Sequence, residues 1–367
     1  MKRAVTTLPL HYGKAPRWLF DKMKRLSAAV VSMILLEFGP REVLRRLSDP
    51  VWFQAFGCVV GFDWHSSGLT TTLCGALKEG FASTTSDFPL AICGGKAATS
   101  RRTPQELTAY GNMWEIDASP FVALSRLCAK IDNSLIQDGY NIYHHTFILS
   151  KDGDWAIIQQ GMSEETRTAR RYQWFSRENL DLTCEPHTGV TCDRQKETLN
   201  LVARESAPVH AATVDFTRQD PDWMSKTWKE IALAMPERHY IAAQDVDANR
   251  LGRMFKTLHE SQPETFKDLL QVHGVGPRTI AALSLVSELV YNAPPSFKDP
   301  ARFSFAHGGK DGHPFPVQRK TYEESIAFLQ TCLDKARIND RDKIEAFKRL
   351  NRYYETSSNI QIPNLKQ

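Results

Sequence analysis

The sequence predicts an α+β protein in which a mixed N-terminal domain with a β-sheet is followed by an all-α C-terminal domain. Apolar residues 147–149 and 155–158 flank Lys151-Asp152-Gly153-Asp154, a pattern typical of a β-hairpin with an Asp-Gly turn. After residue 222 the strand patterns end, and apolar residues recur at helical spacing instead, beginning with residues 251–258.

The helices follow from start and stop signals. One helix is predicted over residues 17–37, opened by Pro16 and ended by Gly39-Pro40. A second is predicted over residues 120–137, directly before the hairpin. The C-terminal third contains three further predicted helices, over residues 281–290, 322–332 and 334–354.

Polar residues 217–222, which end in Asp-Pro-Asp, mark the predicted boundary between the two parts. We therefore expect an α+β catalytic domain over residues 1–216 and a helical domain over residues 261–367. Residues 217–260 are expected to form a linker and helical connection between them.

The composition excludes several classes of protein. Hydrophobic residues make up 42% of the 367 residues and charged residues 24%, which excludes wholesale disorder. The 46 Lys and Arg against 42 Asp and Glu give a net charge of +4, so a nucleic-acid surface must come from local clustering of cations. No apolar run is long enough to span a bilayer, and the seven scattered cysteines include no CxxC pair. These features predict a cytoplasmic protein without a membrane partner.

The most specific stretch lies at residues 269–280. An apolar helix ends at His273-Gly274-Val275-Gly276, and a second helix starts at once with Pro277 at its first position. The glycines allow close approach of the backbone, and the new helix presents free N–H groups and the positive end of its dipole. Arg278 and Thr279 can add hydrogen bonds to the same ligand, which we expect to be a phosphate.

This stretch resembles the helix-hairpin-helix motif of DNA repair and recombination proteins, which holds the DNA backbone without reading sequence. The resemblance implies that Gly274, Gly276, Arg278 and Thr279 bind DNA. The other interpretation is an ordinary corner between two helices that uses glycine for its geometry.

DNA glycosylases built on the same hairpin suggest a sharper hypothesis. In their lyase-type members a lysine nucleophile follows the second glycine and an aspartate lies further downstream, whereas these positions hold Arg278 and Gln318 here. An arginine stays protonated and cannot form a Schiff base. Lys310 and Asp311 are either a displaced pair or part of a polar loop whose lysine contacts phosphate.

Polar residues concentrated in the first domain predict a catalytic site. Asp63 and His65 stand two residues apart, so an extended backbone would place both on one face, where they could share a divalent metal or act as base and orienter. Lys78 and Glu79 add a cation and a second acid. Other segments of the domain supply the remaining candidates, which are His11, Lys14, His145 and Gln160.

These residues also have structural interpretations. Asp63 could cap a turn, His65 could be a buried histidine with satisfied hydrogen bonds, and His145 could end a helix. Arg170 and Arg171 are followed by two aromatic residues, a mixture that suits single-stranded nucleic acid or splayed bases. The alternative for this arginine run is a solvated helix face.

Several long and unusual strings occur along the chain, at residues 8–16, 53–57, 62–68, 159–162, 309–312 and 314–317. With these strings the whole chain resembles a bacterial and archaeal family, domain of unknown function family seven-six-three. The resemblance implies a soluble protein that couples an uncharacterised N-terminal domain to a helix-hairpin-helix region.

The leading hypothesis is a DNA-binding, metal-dependent nuclease of DNA repair or processing. Asp63 and Glu79 would hold Mg²⁺ or Mn²⁺, which polarises the phosphate and activates water. His65 or His145 would act as general base, and a lysine of the same domain would neutralise the developing charge. One alternative is a base-excision enzyme that uses an unfamiliar lysine. Another is a non-catalytic module that binds DNA or bridges repair proteins.

Overall fold

The structure is a computed structural model, and it describes residues 17–61, 68–82, 88–192, 195–234, 247–302, 319–335, 341–344 and 346–350. The main helices are α1 (Arg17–Leu47), α2 (Pro50–Val60), α3 (Gly68–Gly80), α4 (Thr103–Trp114), α5 (Ser119–Ser134), α6 (Ala207–Thr217), α7 (Pro221–Ala234), α8 (Ala248–Ser261), α9 (Phe266–Gln271), α10 (Pro277–Tyr291) and α11 (Arg319–Lys335). The strands are β1 (Leu90–Lys96), β2 (Ile136–Gln137), β3 (Asn141–Ser150), β4 (Trp155–Ser163), β5 (Thr168–Phe175), β6 (His187–Thr191) and β7 (Leu199–Asn200).

The first two helices show how local sequence sets the boundaries. Gly39 adopts a left-handed φ of 79° and Pro40 follows it, so α1 is interrupted by a kink at the predicted stop signal. The Asp49 side chain then accepts hydrogen bonds from the amides of Val51 and Trp52, which caps the start of α2.

Five strands form an antiparallel sheet in the order β1-β3-β4-β5-β6. The predicted hairpin is confirmed: β3 pairs with β4, and Gly153 in the connecting turn has a φ of 86° and donates its amide hydrogen bond to the Ser150 carbonyl. The helix predicted before the hairpin is present as α5, but it ends at Ser134, and the last two predicted helical residues form β2 instead. A separate two-stranded ladder joins β2 and β7.

Helices cover both faces of the five-stranded sheet. Alternate residues of the hairpin point to opposite sides, so that Ile148 and Ile158 belong to a core with α1, α2 and α3, while Phe147 and Ile157 belong to a core with α5. Both faces are therefore buried, and next to the β3–β4 turn the strands are apolar on both sides.

Both cores extend into the C-terminal helices. Phe255 of α8, Leu269 of α9 and Ile280 of α10 lie in the core on the α5 side of the sheet. Leu329 and Leu333 of α11 lie in the core with α1, α2 and α3. The C-terminal helices thus complete the burial of a sheet that lies entirely in the first part of the chain.

The predicted α+β class is confirmed, with the sheet followed by helices. No strand follows β7 within the described ranges, where Ser296 makes only an isolated bridge to Asn200. The predicted linker at residues 217–222 is a tight connection in which the Asp220 side chain accepts hydrogen bonds from the first amides of α7. Among the described residues, no helix combines the length and the apolar character that a membrane crossing requires.

Candidate functional site

The α9–α10 corner contains the stretch that the sequence singled out. Thr265 and Asp268 form a capping box at the start of α9, and the buried side chains of Phe266, Leu269 and Leu270 anchor this helix in the core. The helix ends at Gln271, and after five intervening residues α10 begins with a proline at its first position. Two helices joined by a short turn therefore occupy residues 266–291.

The two glycines of the turn have different roles. Gly274 has a φ of 88°, and a Cβ atom there would lie 2.6 Å from Cε of Met254, so the fold itself requires a glycine. Gly276 is extended, with a φ of −150°, and a Cβ atom there would meet no other atom within 4 Å. Local packing and backbone strain therefore do not explain Gly276, whose bare backbone faces open space.

The start of α10 is open to solvent and carries one positive side chain. Gly276 is its N-terminal cap, with no side-chain hydrogen bond to the first amides, and the first turn contains no acidic residue. Arg278 is exposed and Thr279 is half-buried. Free amides, the helix dipole and a guanidinium group therefore favour an anion at this end of α10.

A cavity of about 490 Å³ lies between this turn and the first turns of α8. Leu251 and Met254 line it from α8, and residues 276–279 line it from the corner. Arg250, which is exposed, contributes a second arginine to the lining. Sequence inspection missed Arg250 because only the tertiary fold brings α8 beside the turn.

The corner is also held from the α5 side. Nζ of Lys130 donates to the Val272 carbonyl at 3.3 Å, and Nε2 of Gln137 donates to the Pro277 carbonyl at 2.8 Å. These contacts fix one end of the turn to α5 and the other to β2, the short strand that follows α5.

The neighbours Lys78 and Glu79 on α3 have separate surroundings. Nζ of Lys78 contacts both carboxylate oxygens of Glu106, at 2.8 and 2.6 Å, and donates to the Gly94 carbonyl at 2.8 Å. Glu79 is exposed and pairs with Lys24 of α1 at 3.4 Å. The charge of Lys78 is thus balanced inside the protein, and the two predicted catalytic residues do not share one site.

His145 is buried, and both of its ring nitrogens are hydrogen-bonded. Nδ1 lies 2.9 Å from Oε1 of Gln159, and Nε2 lies 2.8 Å from Oγ of Ser125. Gln159 in turn donates through Nε2 to the buried carboxylate of Asp132, which fixes its amide so that Oε1 accepts from His145. Burial lowers the pKa of His145. This arrangement is that of a core histidine with satisfied hydrogen bonds. The helix end that the sequence offered as the structural interpretation of His145 is wrong, because His145 lies within β3.

Gln160 belongs to a polar row that crosses the sheet. It pairs in register with His144 on one side and Arg171 on the other, and its amide donates to the hydroxyl of Tyr143. His144 is fully buried, and its Nδ1 has no hydrogen-bond partner in the described residues. Burial lowers the pKa of His144 to about 3, with smaller contributions from the neighbouring charges of His145 and Lys96.

Arg170 and Arg171 lie on β5 with both side chains buried, which excludes the solvated helix face. Arg170 bridges two carboxylates, at 2.9 Å from Asp138 and 2.7 Å from Asp299. Arg171 hydrogen-bonds Gln54 at 3.2 Å, and burial lowers its pKa to about 10. Because neither guanidinium reaches the surface, both arginines act in the core and not, as the sequence predicts, at a nucleic-acid interface.

The other candidates cannot be placed. His11, Lys14, Asp63, His65 and Lys310 lie outside the described residues. Of the catalytic candidates that can be placed, Lys78, His145 and Gln160 lie near the same end of the sheet, but His145 faces α5 whereas Gln160 faces α1, α2 and α3. Within the described part of the chain, no group of three or more His, Cys, Asp or Glu residues could hold a metal ion.

Comparison with known proteins gives one match. A family model with the description "Protein of unknown function (DUF763)" matches residues 4–317. No curated protein and no solved structure matches the chain.

The role of Arg170 can be tested by Arg170→Met. The variant leaves the carboxylates of Asp138 and Asp299 buried without their cation, so we expect the free energy of unfolding to fall by about 3–5 kcal/mol. Urea unfolding followed by circular dichroism measures this change. Arg25→Met removes an exposed arginine and should stay within about 0.5 kcal/mol of the wild type. A stable Arg170→Met protein that has selectively lost nucleic-acid binding would contradict the core role.

The buried His144 predicts a loss of stability in acid. Its pKa is about 3 in the fold against 6.5 in an unfolded chain, so below pH 6.5 the unfolded chain takes up a proton that the folded protein does not. This uptake lowers the free energy of unfolding by about 2 kcal/mol at about pH 5. Urea unfolding of wild type and His144→Gln at a series of pH values measures it, because the variant lacks this proton uptake. A stability difference between the two proteins that is constant from about pH 7 to 5 would refute the assignment.

Proposed function

The chain belongs to the DUF763 family of proteins of unknown function, and we propose that it binds the phosphate backbone of DNA through residues 272–279 without reading base sequence. We call these residues the hairpin turn. Nucleic-acid binding of this kind needs backbone amides that a phosphate can approach and cations that can follow its charge.

The openness of Gly276 is the observation that carries this proposal. An ordinary corner between helices needs glycine where the backbone is left-handed or where packing leaves no room for a side chain, and Gly274 meets both conditions. Gly276 meets neither, although it immediately precedes the free amides of α10. A ligand that approaches the backbone closely accounts for the missing side chain.

The charge distribution supports an anionic ligand. Arg278 lies in the first turn of α10, and Arg250 lies across the cavity on α8. Asp247, the acidic residue in the cavity lining, accepts hydrogen bonds from two amides at the start of α8, those of Asn249 and Arg250. Both arginines are exposed and can reach a bound phosphodiester.

The nuclease step stays a prediction. It requires Asp63 and Glu79 to hold Mg²⁺ or Mn²⁺, and Glu79 is exposed with Lys24 as an ion-pair partner. His145 is unsuited to act as the base because both ring nitrogens are occupied in the core. Of the two histidines predicted as general base, His65 and His145, only His65 is then still a candidate. The lyase alternative lacks its familiar lysine, since that position holds Arg278.

The hairpin turn is tested by Gly276→Ala and Gly276→Val. Both residues are compatible with the extended backbone of Gly276, and a Cβ atom there meets no other atom within 4 Å, so the fold should persist. The added side chain should keep phosphate from the amides, and we expect the Kd for duplex DNA to rise about tenfold for the valine variant, or ~1.4 kcal/mol. Fluorescence anisotropy with two labelled duplexes of unrelated sequence measures Kd, and both duplexes should lose affinity equally.

Two controls separate binding from folding. Gly75→Ala adds a Cβ atom to α3 at ordinary contact distance, 3.9 Å, from Phe20, and its Kd should match that of the wild type. Gly274→Val should destabilise the protein because of its left-handed backbone and the contact with Met254. Wild-type affinity in a folded Gly276→Val protein would refute the proposal.

The catalytic prediction is tested by incubating labelled DNA with the protein and either Mg²⁺ or Mn²⁺. We expect cleavage that Asp63→Ala abolishes without a change in Kd, because a metal ligand acts on the chemical step and not on backbone contacts. Asp222→Ala, an exposed carboxylate on α7, is the matched control. Cleavage that survives Asp63→Ala would remove Asp63 from the mechanism. DNA that is bound and stays intact with both metals would favour the non-catalytic module, and a covalent adduct after borohydride treatment would favour the lyase.

A further inference from the structure

The outer face of α5 forms a polar stripe that leads to the hairpin turn. Residues 125, 128, 131 and 132 of this helix are buried against the sheet and the core. The opposite side of the helix carries three polar residues at intervals of four and three, namely Arg126, Lys130 and Asn133. These three residues are exposed or half-buried. We call Arg126, Lys130 and Asn133 the α5 stripe.

The charge of the α5 stripe is positive and is not balanced on its own helix. Asp132 is the one acidic residue of α5, and its carboxylate is buried on the inner side, where it accepts from Gln159 and Trp174. Arg126 is exposed and has no ion-pair partner among the described residues. Lys130 donates to a neutral acceptor, the carbonyl of Val272. Burial lowers the pKa of this lysine, so an anion beside it would stabilise its charged form.

The α5 stripe is continuous with the hairpin turn. Val272, which accepts from Lys130, is the first residue of that turn. Gln137, just beyond the end of α5, donates to the Pro277 carbonyl near the other end of the turn. The acidic Asp268 lies in the first turn of α9, where its carboxylate is engaged in the capping box with Thr265. A DNA backbone bound at the hairpin turn would therefore continue along the α5 stripe, which is also positively charged.

We propose that the DNA backbone runs from the hairpin turn along the α5 stripe, with Arg126 and Lys130 contacting phosphates next to the one held at Gly276. This inference rests on the proposed function and defines the second part of its DNA-binding surface. Arg126 and Lys130 are four residues apart, a rise of about 6 Å along the helix, which is less than two base-pair steps of DNA. Both cations can thus neutralise neighbouring phosphates.

The test uses the full chain and a labelled DNA duplex of about 30 base pairs. Arg126→Ala removes an exposed side chain, so the fold should be unaffected, which thermal unfolding verifies. We expect its Kd to rise about three- to tenfold near 0.1 M salt, and the slope of log Kd against log salt to shrink by about 0.9, the value for one lost phosphate contact. Arg126→Glu should weaken binding further.

Arg25→Ala is the matched control. Arg25 is an exposed arginine of α1, which packs on the opposite face of the sheet from α5, so the variant loses the same charge at a distant place. Its Kd and salt slope should equal those of the wild type. An equal loss of affinity in Arg25→Ala and Arg126→Ala would show an effect of net charge and overturn the assignment of the α5 stripe.

Different binding results would exclude the α5 stripe alone or DNA binding as a whole. If the wild type binds the duplex and Gly276→Val weakens it, while both Arg126 variants bind like the wild type, the hairpin turn stands and the α5 stripe is excluded. If the wild type does not bind DNA, both are overturned.

Discussion

The burial of both faces of the five-stranded sheet is the constraint on which the rest of the structure depends. A strand with no solvated side must satisfy every polar side chain inside the protein, because an unpaired buried charge costs several kcal/mol. Asp132 and Asp138 help to meet this requirement, because they accept hydrogen bonds from one side chain of β4 and three of β5, namely Gln159, Arg170, Tyr172 and Trp174. The same requirement places Arg170 between two carboxylates.

This constraint determines which polar residues lie in the core and which lie at the surface. His145, Gln160, Arg170 and Arg171 have the chemistry of catalysis or ligand binding, but the sheet turns them inward and uses their hydrogen bonds for packing. The surface that remains open to an anion comes from helix ends and outer helix faces. Residue types alone therefore predict more catalytic or ligand-binding side chains on the strands than the fold leaves accessible.

The fold was largely predictable from the sequence because its signals are local. Gly39-Pro40, the Asp-Gly turn after β3 and the proline that opens α10 each act through their own backbone geometry, and the structure has each of them. The site was less predictable because exposure is a tertiary property. Nothing in the sequence next to Arg171 shows that Gln54, more than a hundred positions earlier, lies against its guanidinium. Lys130 and Arg250 escaped notice for the converse reason, since only folding brings them to the hairpin turn.

The anchoring of the hairpin turn has a consequence for recognition energetics. Met254 packs against Gly274 from one side, while Lys130 and Gln137 hold the carbonyls at the turn's two ends from the other. A turn fixed in this way would lose little conformational entropy if it bound the proposed phosphate backbone, because it is already ordered. A few rigidly held amides would then give affinity from a small contact area and leave most of the DNA surface free for other proteins.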